Sequence, residues 1–152
     1  MKTEAPQVVS YDAGFLPRAD VPSPALLQTE DSAFLVFRAD TGTGVVEILG
    51  CLISKFGYPN DEALGGHPLY SRGLSCYGIF EVLDSPWIHQ LHEQNRTTFP
   101  NSSSGGRHYV FTFHDSTFEC IADGLSTSVT REPYAQVLAS LSQRFSKSPN
   151  DG

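Results

Sequence analysis

Alternation of apolar and polar residues is clearest in Arg107–Ala122, RHYVFTFHDSTFECIA. Side chains alternate across a strand, so Tyr109, Phe111 and Phe113 share one face and His108, Val110, Thr112 and His114 the other. Asp115-Ser116 supplies a turn centre, because Asp tolerates turn geometry and bonds its own backbone. An even loop centred there predicts a β-hairpin pairing Phe113 with Phe118, Thr112 with Glu119 and Val110 with Ile121. Its apolar face is Tyr109, Phe111, Phe113, Phe118, Cys120 and Ala122. Its polar face gathers His108, Thr112, His114, Thr117 and Glu119. A three-residue loop would slip the register by one and disperse both faces.

The same patterning divides the rest of the chain. Residues 1–30 contain Pro6, Pro17, Pro22 and Pro24 and little periodicity, which predicts an extended arm with a short strand at Gln7–Tyr11. Ala33–Arg38 and Val45–Ser54 read as the strands of a second hairpin around the turn-rich Asp40–Gly44. The Gly-Thr-Gly within that turn lacks the third glycine and the strand-to-helix setting of a dinucleotide fingerprint. Phe56–Gly73 reads as a long loop, and loops of that length inside domains are often functional. Leu74–Leu83 resumes as a strand, with Glu81 a carboxylate among apolar neighbours. Ser85-Pro86 opens a helix over Pro86–Asn95, Ser as cap and Pro at the first helical position. Gly124–Thr130 reads as a connector. Tyr134, Val137, Leu138, Leu141 and Phe145 recur at helical spacing and predict an amphipathic C-terminal helix.

These elements predict an α+β fold. A mainly antiparallel sheet of about five strands, made of two hairpins plus a central strand, would carry two helices packed on one face. The arm (1–30) precedes a single domain over 31–146, and a flexible tail follows at 147–152.

Composition narrows the chemistry. At 152 residues and 39% hydrophobic, the chain suits one domain with its own core. A net charge of −7, with basic residues scattered singly, disfavours nucleic acid. No segment has the apolar length of a signal peptide or a bilayer span, so a cytoplasmic protein without membrane contact is expected. Cys51, Cys76 and Cys120 lack metal or redox spacing and read as buried free thiols.

The candidate site lies between the 56–73 loop and the polar hairpin face. Metal-free acid–base chemistry on a small polar molecule assigns His114 as general base, Glu119 as its orienting partner, and His67 or Arg72 as the stabiliser of charge. Tyr70, Asp61, Thr112 and Thr117 complete the candidate ligand contacts, and no metal or cofactor is required. One rival is a metal site built from His67, His114 and Glu119. His108 and His114 lie about 20 Å apart along an extended strand and would not share an ion. A second rival is a non-catalytic acidic binding protein, of inhibitor or immunity type, that neutralises a basic protein partner through Asp61 and Glu62. A homodimer through an exposed sheet face is a further partner to consider. Nucleophilic catalysis finds no Gly-x-Ser-x-Gly elbow to start from.

Overall fold

The alternating segments form strands, and the chain has more of them than patterning alone marks. The computed structural model describes residues 5–20, 24–101 and 105–146. Among them nine strands run in chain order. They are β1 (Gln7–Ser10), β2 (Ala25–Gln28), β3 (Ala33–Ala39), β4 (Gly42–Leu49), β5 (Ile53–Gly57), β6 (Ile79–Leu83), β7 (Arg107–Thr112), β8 (Thr117–Ala122) and β9 (Gly124–Thr130). Helix α1 (Pro86–Thr98) lies between β6 and β7, and α2 (Tyr134–Ser146) follows β9. All pairings are antiparallel, in one five-stranded sheet of order β1-β6-β7-β8-β5 and one four-stranded sheet of order β2-β3-β4-β9.

The α+β class and the antiparallel pairing agree with the patterning, whereas the single sheet of about five strands gives way to two sheets packed face to face. Aromatic residues on the inner faces drive that packing. Phe37 of β3 meets Phe111 of β7 and Phe113 at ring-centroid distances of 6.2 and 5.2 Å, around a core that includes Leu35, Val46, Ile79, Tyr109, Phe118 and Cys120. The predicted apolar hairpin face is thus buried in full. Each outer face has its own cover. Val137 and Leu141 of α2 close over Phe34 and Val36 of the four-stranded sheet. The chain between β5 and β6 forms a strap with two single-turn 3₁₀ helices (Leu64–Gly66 and Tyr70–Arg72). Its Leu64, Leu69 and Leu74 pack on Val8, Phe80, Val82 and Val110 of the five-stranded sheet. Helix α1 touches that same sheet at β7 through Trp87 and His108. The two helices therefore sit on different sheets rather than on one face.

Three segments differ from their sequence reading. Val45–Ser54 is two strands in two sheets, broken at Gly50, whose φ of +60° lies in the left-handed region that favours glycine. Gly124–Thr130 is a strand, β9, because β8 turns the same corner beside it; the Asp123 N–H donates to Leu49 O at 2.8 Å. Residues 74–78 form no strand, with Tyr77 at a φ of +54°, and Cys76 is exposed while Cys120 is buried and Cys51 half-buried. Within the expected arm, β1 pairs with β6 and β2 with β3. The tail expected at 147–152 lies outside the described residues.

Gly44 shows why the Gly-Thr-Gly segment has its composition. A Cβ there would lie 2.7 Å from the Phe15 ring, itself packed on Phe37. Gly44→Ala should therefore cost roughly 1–3 kcal/mol, the usual range for overpacking a core. Urea unfolding measures this, and an unchanged midpoint would show that Phe15 moves aside freely.

Candidate functional site

Glu119 lies in β8 on the outer face of the five-stranded sheet and is only 8% exposed. A carboxylate withdrawn from water needs hydrogen-bond donors to remain ionised. Two imidazoles supply them. His108 of β7 places Nε2 2.8 Å from Glu119 Oε1, and His67 of the strap places Nε2 2.9 Å from Oε2. An ionised carboxylate only accepts, so both Nε2 atoms carry the hydrogen. The remaining ring nitrogens are engaged as acceptors. His67 Nδ1 takes the Leu69 backbone N–H at 3.0 Å, and His108 Nδ1 takes the Ser85 hydroxyl at 2.7 Å. Ser85 Oγ in turn accepts the Ile88 N–H at 3.2 Å and so caps α1. The strap, the start of α1, β7 and β8 are joined by one continuous set of hydrogen bonds.

Burial by itself would push Glu119 up. The hydrogen bonds from His108 and His67 outweigh it and hold the carboxyl at about 2. The order Ser85–His108–Glu119 is that of a hydroxyl, a relay and an acceptor. Ser85 is 2% exposed, however, and does not line the adjoining cleft, so its hydroxyl orients His108 and caps a helix rather than meeting a substrate.

That cleft, of about 160 Å³, opens over the cluster. His67, His108 and Glu119 form its polar base, and Pro68, Leu69, Pro86 and Trp87 its apolar walls. Lys55 of β5, directly opposite Glu119 across the strands, completes it. The Lys55 ammonium sits 4.2 Å from the centroid of the Trp87 ring.

Of the residues singled out in the sequence, His67 and Glu119 converge and His114 does not join them. The cause is a two-residue difference in hairpin register. The expected pairing sets Glu119 opposite Thr112, diagonal to His114. In the structure the loop is Phe113–Ser116, closed by the Phe113 N–H to Ser116 O at 2.9 Å, and Glu119 stands opposite Val110, diagonal to His108. A shift of two keeps every side chain on its expected face and changes its neighbours. His108 was visible on the polar face, but only the register selects it.

His114, its side chain 43% exposed, belongs to a separate cluster at the hairpin loop. Its Nδ1 is 2.8 Å from Asp115 Oδ1 and its Nε2 4.0 Å from Asp61 Oδ2. The Asp115 hydrogen bond raises His114 above the ordinary imidazole value. Asp61 also accepts the Tyr77 hydroxyl, which lowers the carboxyl and pushes Tyr77 up to about 12. The two candidate threonines are tethers for the strap. Thr112 Oγ1 donates to Ser75 O at 2.8 Å and accepts the Gly78 N–H at 2.9 Å, and Thr117 Oγ1 donates to Pro59 O at 2.9 Å. Tyr70 and Arg72 are exposed on the second 3₁₀ turn, outside the cleft lining. The rival metal set His67, His114 and Glu119 is split between the two clusters. Among the described residues no three His, Cys, Asp or Glu side chains are placed to hold one ion. None of the described helices is long and apolar enough to cross a membrane.

Fold and site together define a two-sheet α+β protein with a buried His–Glu–His cluster beneath a small cleft. Comparison with models of known protein families, with curated proteins and with solved structures finds no match to this chain.

Because Glu119 titrates lower in the folded chain than its ordinary value of 4.5, its pairing adds stability above pH 4.5, and that contribution disappears as the pH falls through about 2. Glu119→Ala, which leaves two buried N–H donors unpaired, should cost roughly 3–5 kcal/mol near neutral pH. The gap between wild type and variant, followed by denaturant unfolding, should narrow between pH 4.5 and pH 2. A gap independent of pH over that window would mean the carboxylate is not ionised in the fold.

Proposed function

We propose that this protein binds a small polar molecule bearing an anionic group and an apolar body. The cleft between the strap and the hairpin is its site. One observation carries this reading: a cation (Lys55), an aromatic wall (Trp87) and a carboxylate already hydrogen-bonded by two imidazoles meet in a single concavity. Each oxygen of the carboxylate already has a donor, and Lys55 and Trp87 supply attraction and contact area. The free cysteines suit a reducing compartment, and we place the protein in the cytoplasm on that ground.

Trp87 is the sole tryptophan, so its fluorescence reports directly on the cleft. Titration with small amphipathic carboxylates, such as N-acetylglutamate and phenylacetate, should give a saturable change. Lys55→Met should weaken it by about tenfold or more, the loss of roughly 1.4 kcal/mol, while leaving the melting temperature within a few degrees. Equal binding by the variant would remove Lys55 from the site.

Acid–base turnover is the second reading, favoured by the Ser85–His108–Glu119–His67 chain. Each ring nitrogen in it is engaged, so a substrate would have to take the place of one existing bond. Under this reading His67→Gln abolishes hydrolysis of a bound ester while the Trp87 response persists. Binding without any turnover in the wild type leaves the first reading alone.

A further inference from the structure

The cleft sits against an open sheet edge. β5 pairs with β8 on one side, and among the described residues no strand pairs with its other side. Proteins usually blunt such an edge with outward charges, proline or a cover. Here Leu52, Ile53, Phe56 and Tyr58 are all exposed, Tyr58 at 79%. The one charged residue of β5, Lys55, is turned onto Trp87 instead of guarding the edge. The cleft is also small. Sites for drug-sized ligands run to about 300–1,000 Å³, whereas this one has about 160 Å³ and suits a single side chain of a longer ligand. A second hollow, of about 400 Å³ and lined by Tyr58, Pro59 and Ala63, shares His67 and Pro68 with it and lies just past the end of β5.

We propose that the ligand is an extended peptide that adds to β5 as a further strand and carries a carboxylate side chain to Lys55. Main-chain hydrogen bonds to the free edge supply affinity, and the cleft beside it selects the side chain. Register supports the fit. Lys55 stands opposite Glu119 and Phe56 opposite Phe118, so Lys55 faces outward toward the cleft and Phe56 toward the core side. A peptide paired here would put alternate side chains beside Lys55 and cover Phe56 with those between. The Lys55 charge, which contact with the Trp87 ring does not neutralise, makes the complementary residue acidic. A second copy of the chain fits less well. Two-fold antiparallel pairing of β5 with outer faces aligned sets the two Lys55 side chains directly or diagonally opposite, about 5–8 Å apart.

This inference rests on the cleft being the binding site, and the experiment separates the two. Trp87 fluorescence of the full chain is titrated with acetyl-Val-Glu-Val-Glu-Val-amide and with the same peptide N-methylated either at both glutamates or at all valines. Added strands bond through the N–H groups of alternate residues. One methylated series should therefore lose about tenfold or more in affinity, while the other binds as the parent does. Equal behaviour of the two series overturns the strand-addition proposal. Lys55→Glu should abolish binding of the parent and accept acetyl-Val-Lys-Val-Lys-Val-amide, and failure of that exchange overturns the acidic preference. If N-acetylglutamate binds as tightly as the pentapeptide, strand addition is wrong and the cleft reading stands. If neither alters the fluorescence, both fall.

Discussion

A carboxylate in a sheet buried on both faces is tolerated only where donors reach it, and in this protein that constraint ties distant parts of the chain together. Glu119 draws one donor from the neighbouring strand and one from the strap, and the first of these, His108, is itself oriented by the cap of α1. Two connections of very different sequence length thus end on one side chain, and a third, from Ser85, ends on one of its donors. Desolvation and hydrogen bonding oppose each other there, and the balance keeps Glu119 ionised although burial by itself favours the neutral form. The same arrangement shapes the cleft, because the two imidazoles that satisfy the carboxylate also form its polar base.

The strap depends on more than His67. Its three leucines cover Val8, Phe80, Val82 and Val110, and Thr112 and Thr117 bond its backbone at both ends. Those threonines are directly opposite each other in the hairpin. Register and strap are therefore mutually dependent: the Thr112–Thr117 pairing holds the strap, and the strap brings His67 to the carboxylate that the same register puts beside His108. Phe113, within the loop, adds a core anchor against Phe37.

Much of the hairpin was legible from alternation, since the period of two depends only on backbone geometry. The inward aromatic face, the outward polar one, the Ser85 cap and the amphipathic α2 all follow from local rules. Strands β2 and β9 were not legible. β2 is a short segment with one strong partner, and β9 carries serine, threonine and glycine because it lies at a sheet edge. The break at Gly50 was hidden for another reason: an apolar run that passes from one sheet to the other keeps the same composition on both sides of the corner.

By itself, the sequence determined the faces: which residues of each strong strand turn inward, where α1 starts, which stripe of α2 is apolar, and that His108, His114 and Glu119 lie on the polar side of the hairpin while His67 belongs to the long loop. Tertiary structure decided which of them meet. A two-residue choice of register exchanges His114 for His108 at the carboxylate without moving any side chain to the other face, so alternation cannot register it. That choice is made by long-range contacts, the strap's bonds to Thr112 and Thr117 and the packing of Phe113, whose energies belong to pairs of residues far apart in the chain.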